Sequence, residues 1–185
     1  MEYETKRHQL EVLKRLEEKG ELDLRYLDES GFCLVPYVPY AWQENGETLG
    51  LPSQRSSRFN VLGLMNRHND LTSDVFDKSI TSAVVVACID DFSQTCDQHT
   101  VVVMDQASVH KNAEIEEKIE DWKAKNVEIF WLPTYPPHLN LIEILWRFMK
   151  YEWIEFAAYQ CLGSLSLYID KILKSFGKDY VIDFG

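Results

Sequence analysis

The strongest constraint on the fold is a set of short apolar runs that stop abruptly at polar or acidic residues. Arg58–Asn66 carries Phe59, Val61, Leu62, Leu64 and Met65 with no charge between them, the pattern of a strand buried on both faces. Thr100–Met104 is a shorter hydrophobic run, Val127–Leu132 is another short buried strand around Glu128, and Leu24–Leu27 is a compact, apolar-rich fourth. Leu71–Phe76 follows across a polar turn at Asn66–Asp70, which is hairpin spacing. Helical periodicity fills the remainder. Leu10, Leu13 and Leu16 mark Glu11–Lys19, with Gly20 as its stop; Ile115, Ile119 and Trp122 mark Glu114–Lys125. Leu141–Ile154 and Ser164–Phe176 are two further helices. Ser79–Phe92 contains a Val84-Val85-Val86 run that suits a strand, but the segment is long for one and reads as helix. From Leu24 onward the order β, β, β, α, β, α, β, α, with hairpin and crossover connections, predicts an α/β fold: a mixed sheet flanked by helices.

Proline punctuates two places. Pro36 and Pro39 precede an extended run at Tyr40–Trp42 and a polar turn at Glu44–Thr48. Pro133, Pro136 and Pro137 impose an extended loop that aims the Leu141 helix. Neither a repeat nor a second composition regime divides the 185 residues.

The uncharged stretches Ser30–Gln43 and Phe156–Ile169 are 14 residues each, and none is longer, short of the ~18–20 that a membrane helix needs. The N-terminus is acidic from Glu2 and lacks the apolar core of a secretory signal, so a cytosolic location is expected. Cys33, Cys88, Cys96 and Cys161 make no C-x-x-C pair and are expected to be reduced, partly buried packing residues. The net charge of −11 disfavours a free-standing nucleic-acid binder, because phosphate contacts need Lys and Arg. Asp28–Ala113 is the most acidic section, with five basic against eleven acidic residues. A bound divalent cation would neutralise a site there.

Three carboxylates sit where chemistry is usually placed. Asp28 is read as ending the first strand, Asp105 ends Thr100–Met104, and Glu143 lies in the first turn of its helix. Ligands of open α/β sheets gather beyond the carboxyl ends of strands. Oxygen-only donors suit hard cations such as Mg²⁺ or Mn²⁺, and two such ions can serve an in-line phosphoryl displacement. Each residue also has a purely structural reading. Asp28-Glu29-Ser30-Gly31 suits a turn, Asp105 suits a helix cap, and Asn140-x-x-Glu143 has the form of a capping box. Arg147 and Lys150 share a helical face with Glu143, where they can pair with it or touch a phosphate. Arg55, Arg58, Arg67, His110 and Lys111 are further basic residues near loops. Trp122, Trp146 and Trp153 lie on apolar stripes and are expected in the core.

Leu27-Asp28-Glu29-Ser30-Gly31-Phe32, then Val103-Met104-Asp105-Gln106-Ala107-Ser108-Val109-His110, then Tyr135-Pro136-Pro137-His138-Leu139-Asn140-Leu141-Ile142-Glu143-Ile144-Leu145-Trp146 resemble the three catalytic blocks of DDE transposases of the mariner superfamily, in particular its bacterial insertion-sequence branch. Arg58–Gly63 resembles the strand between the first two blocks. The resemblance implies a ribonuclease H-like fold and a metal-dependent enzyme that cuts transposon ends and joins the freed 3′-hydroxyl to target DNA, usually at TA. It carries Asp28, Asp105 and Glu143 over as ligands of two Mg²⁺ ions, which Mn²⁺ replaces. It makes His110, Asn140 and Trp146 neighbours of those ligands. Arg58, from its place near a loop, and Arg147 and Lys150, from the face they share with Glu143, are further DNA-contact candidates.

Residues 1–23 are then an N-terminal helix and linker, and 24–185 the catalytic domain. Such transposases carry a helix-turn-helix module that reads the transposon ends, which 27 residues before Asp28 cannot hold, so that module is expected to be truncated or separately encoded. A homodimer acting on bacterial nucleoid DNA is the family expectation. Leu141 stands where the family often has proline, a change in the first helical turn that leaves the ligands intact. Two other readings stay open: an inactive remnant serving as an interaction protein, and a nuclease of the same fold without a joining step.

Overall fold

The computed structural model describes residues 2–36, 57–107, 112–133 and 137–184. Helix α1 (Glu2–Glu18) leads into strand β1 (Asp23–Cys33). Strands β2 (Arg58–Met65) and β3 (Leu71–Phe76) form the expected hairpin, followed by α2 (Ser82–Ser93), β4 (Thr100–Met104), α3 (Ala113–Lys123) and β5 (Val127–Trp131). Helices α4 (Ile142–Phe148) and α5 (Leu162–Ser175) complete the order. The strands lie in one sheet, β3-β2-β1-β4-β5. β1 pairs antiparallel with β2 and parallel with β4, so the sheet is mixed, as the connections predicted.

The period of two along each strand divides the core. On one face Leu24, Tyr26, Val61, Val101 and Val103 pack with Leu10, Trp146 and Ile169 from α1, α4 and α5. On the other, Leu27, Leu62, Leu64, Val102 and Met104 pack with Val85, Ile89, Ile115 and Trp122 from α2 and α3. The absence of charge from β4 and from β2 after Arg58 follows from this double burial.

Several expectations need correction. β1 does not turn at Asp28–Gly31 but runs through it to Cys33, so Asp28 sits inside the strand and not at its end. Pairing with β2 continues through all four of those residues and overrides their turn propensity. α1 begins at Glu2, nine residues before the predicted start, and its Leu10 is fully buried in the core. The Leu141–Ile154 helix is two segments, α4 and a π-helical turn at Met149–Trp153. Phe156–Gln160 forms an unforeseen 3-10 helix. All four cysteines are free, although Cys161 is exposed and not partly buried. Tyr40–Trp42, Glu44–Thr48, Arg55, His110 and Lys111 lie outside the described residues. Among the described residues, no helix is long and apolar enough to cross a membrane.

Candidate active site

The parallel pairing of β1 with β4 sets the site. Tyr26 lies opposite Val103, the last pair of the ladder, and Asp28 and Asp105 each follow two residues further along their chains. Two residues is one full pleat of β1, so the Asp28 carboxylate belongs to the face of Tyr26, where α4 packs. Asp28 is buried, at 8% exposure. Asp105 follows Met104 directly, and its Oδ1 accepts from the Ala107 N–H at 3.0 Å. It does not cap α3: Asn112 does so, its side chain accepting from Ile115 N–H.

Helix α4 is bound to β1 next to Asp28 by two hydrogen bonds. Asn140 Nδ2 donates to the Leu27 carbonyl at 3.2 Å, and Trp146 Nε1 donates to Asp28 Oδ2 at 3.0 Å. The capping-box reading of Asn140 therefore gives way. α4 has no side-chain cap, and the Asn140 amide reaches across to the sheet instead. Trp146 is in the core as expected, at 2% exposure, while its N–H serves the polar site.

Gly63 makes this approach possible. It pairs with Asp28 on β2, and a Cβ there would lie 2.9 Å from both Ile142 Cδ1 and Trp146 Cη2. A glycine inside an otherwise apolar strand marks close backbone approach, the signal by which the sequence could have pointed to it.

Glu143 is exposed at the edge of this cluster. Desolvation of its carboxyl raises its pKa; Lys150 opposes that, while Asp105 and Glu29 add to it. Lys150 is half-buried, and burial lowers its pKa against the opposing pull of Glu143, Asp28 and Cys33. Its Nζ lies 5.6 Å from the centre of the Phe32 ring. Asp28, Asp105, Glu143 and Lys150 thus share one electrostatic neighbourhood, joined by Glu29, whose part the sequence did not reveal. Among the described residues, no three His, Cys, Asp or Glu side chains are gathered tightly enough to hold one metal ion. Arg147 and Arg58 are both exposed, Arg58 paired with Cys33 at the far end of β1.

A mixed five-stranded sheet flanked by helices is the ribonuclease H-like architecture of transposase and integrase catalytic cores. The sequence profile of DDE superfamily endonucleases matches residues 23–166, and the chain belongs to that family. Among solved structures it is similar to the Mos1 transposase paired-end complex with left transposon end (TM-score 0.68, 13% identity, 95% of this chain and 55% of that one). It is also similar to the catalytic domain of Mos1 mariner transposase (TM-score 0.63, 12% identity, 94% and 81%). The HTLV-2 integrase catalytic core in complex with magnesium matches at a TM-score of 0.51, with 12% identity and 83% of each chain covered. The uncharacterized protein y4pE/y4sA of Sinorhizobium fredii is 34% identical over 56 residues, 30% of this chain and 37% of that one. The chain spans about half the length of the Mos1 chains in their DNA complexes.

Proposed function

We propose that this chain is the catalytic core of a transposase of the bacterial insertion-sequence branch, cutting phosphodiesters at transposon ends and joining the 3′-hydroxyl to target DNA, with TA as the preferred target. Asp28, Asp105 and Glu143 are its catalytic carboxylates. The observation that supports this reading is the parallel pairing of β1 with β4, which reaches Tyr26 opposite Val103, two residues before Asp28 and Asp105, on the sheet face packed by the helix of Glu143.

The donor chemistry fits a hard divalent cation. Every donor is a carboxylate oxygen, and the Lys150 ammonium opposes a larger negative charge from Asp28, Asp105, Glu143 and Glu29. Asp28, Asp105 and Glu143 would hold the ions. Mg²⁺ or Mn²⁺, two per site, supplies charge stabilisation to the attacking and leaving oxygens of an in-line displacement. The Mos1 mariner paired-end complex with Mn has this fold at a TM-score of 0.64 and supports that choice. The chain's own residues prepare the site. Trp146 orients the Asp28 carboxylate, Asn140 ties the start of α4 to β1, and Lys150 balances the negative charge beside Asp28 and Glu143. Lys150, Arg147 and Arg58 are the cations placed to meet phosphates, and His110, three residues beyond the described part of its block, is held as a neighbour of Asp105 by the motif alone.

Recognition of the ends falls to a helix-turn-helix module, and the working unit on bacterial nucleoid DNA is a homodimer. The test is incubation with a pre-cut 3′-hydroxyl end, a target plasmid and Mn²⁺. Joined products that vanish in Asp28→Asn, Asp105→Asn and Glu143→Gln support the reading. Nicking without joining would make the protein a nuclease, and no product together with no calorimetric Mn²⁺ binding would make it an inactive remnant.

A further inference from the structure

β2 and β3 run antiparallel from the pair Asn60 and Phe76, so the start of one strand lies beside the end of the other. The turn after β3 therefore sets Asp77, Lys78 and Ser79 against Ser57 and Arg58, and Leu162 at the start of α5 closes a groove of about 540 Å³. Asn60 fixes its floor: the side chain is buried, and Nδ2 donates to the Lys78 carbonyl at 2.9 Å.

The charges in this groove differ from those of the surrounding section. Of the basic residues between Asp28 and Ala113, three are described: Arg58, Arg67 and Lys78. Arg67 faces Glu18 at 3.6 Å, whereas Arg58 and Lys78 are both exposed and both line the groove. Asp77 is the one carboxylate among the described residues lining it, so among those the cations prevail. The fourteen-residue α5 adds the partial positive charge of its N-terminus. Cys161 Sγ accepts from Ser164 N–H at 3.4 Å, and Gly163 beside it carries no side chain to block the backbone.

The groove also lies on the strand that borders the carboxylates. Gly63 pairs with Asp28, and Arg58 is five residues before it on β2, about 17 Å at ~3.4 Å per residue. That distance corresponds to about five base-pair steps of duplex at ~3.4 Å each. We infer that this groove seats the sugar-phosphate backbone of DNA about five base pairs from the reacting bond. Arg58 and Lys78 pair with phosphates there, and the Ser57 and Ser79 hydroxyls donate to phosphate oxygens beside the positive end of α5. The assignment rests on the reading that the substrate is DNA, and it adds Lys78, Ser57 and Ser79 to the residues that hold it.

The experiment is fluorescence anisotropy of the full chain with a labelled mixed-sequence DNA duplex, titrated across a range of salt concentrations. Lys78→Ala and Arg58→Ala should each weaken binding several-fold and reduce the log–log salt slope by about 0.9. Lys123→Ala, on α3, should match the wild type. Lys78→Gln, checked by circular dichroism, guards against a folding defect and should behave as Lys78→Ala does. Wild-type affinity and slope in the folded Lys78 and Arg58 variants would overturn the assignment, as would a wild type that does not bind duplex at low salt. Calorimetric Mn²⁺ titration without DNA reads the carboxylate site separately. Loss of metal binding there, with the Lys78 effect intact, would sink the catalytic reading and leave the groove standing.

Discussion

Trp146 and Asp28, 118 positions apart in the chain, are joined by a 3.0 Å hydrogen bond from the indole N–H to a buried carboxylate oxygen. The bond gives an otherwise apolar helix a polar role, since the ring that fills the core also orients a proposed metal ligand. Trp146→Phe retains an aromatic ring and removes the donor. The expected cost is about 1.5–3 kcal/mol, the range for a hydrogen bond to a charged group, read by urea denaturation. Strand transfer should fall further than DNA binding does. Unchanged stability and unchanged joining would show that the indole N–H has no part in placing Asp28.

Gly63 is the counterpart of that bond on β2. A methyl group at this position would press within 2.9 Å of Ile142 Cδ1 and Trp146 Cη2, in a core with no slack to receive it. Gly63→Ala should cost about 1–3 kcal/mol, as overpacking does, and should move α4 away from Asp28. Thermal denaturation and strand transfer should therefore decline together. A variant with wild-type melting behaviour and full activity would mean that α4 needs no such close approach.

The residues that were legible in sequence and those that were not differ in how local their signals are. Phe59–Met65 and Thr100–Met104 declared themselves because burial on both faces leaves no room for charge. Asp105 and Glu143 were placed correctly because each stands at the boundary of a strongly patterned element. Asp28 was misplaced in its strand, because turn propensity at Asp28–Gly31 is local while the β2 pairing that overrides it is not. The roles of Asn140 and Gly63 depend on contacts across more than seventy positions, which no window of sequence contains. The π-helical turn that follows Phe148 was hidden for a similar reason, since its residues continue the helical periodicity of α4.

Glu17 is a buried carboxylate on α1, at 7% exposure, and neither of its oxygens has a hydrogen-bond partner among the described residues. Burial raises its pKa, with Arg67 and His68 opposing and Asp23 adding. A raised folded-state pKa means that the native state holds this proton more tightly than the unfolded chain does. Its contribution to stability is complete below the ordinary glutamate value of 4.5 and is lost as pH rises through the elevated folded value. At neutral pH the buried charge is then a burden. Glu17→Gln should stabilise the protein there by about 1 kcal/mol, a scale set by the cost of an unsatisfied buried group, and should flatten the decline in stability above the glutamate range. Urea denaturation across mildly acidic to neutral pH measures both. A destabilised variant with the wild-type pH slope would show that Glu17 is not the group responsible.

Lys150 places an ammonium among the carboxylates assigned to the ions, held beside Asp28 and Glu143 and half-buried under Phe32. With no divalent cation present it relieves their mutual repulsion, and with one bound it repels the ion at short range. Lys150→Met keeps much of the aliphatic length and removes both effects. The metal-free variant should melt at a lower temperature than the metal-free wild type, because the carboxylates lose their balancing charge. Adding Mn²⁺ should raise its melting temperature by more than it raises that of the wild type, because ligand binding to the native state stabilises in proportion to affinity. Calorimetric titration should show tighter Mn²⁺ binding by the variant. The same increment with Mn²⁺ in both proteins would place Lys150 outside the electrostatic reach of the metal position, and its cation would then be free to serve DNA phosphates alone.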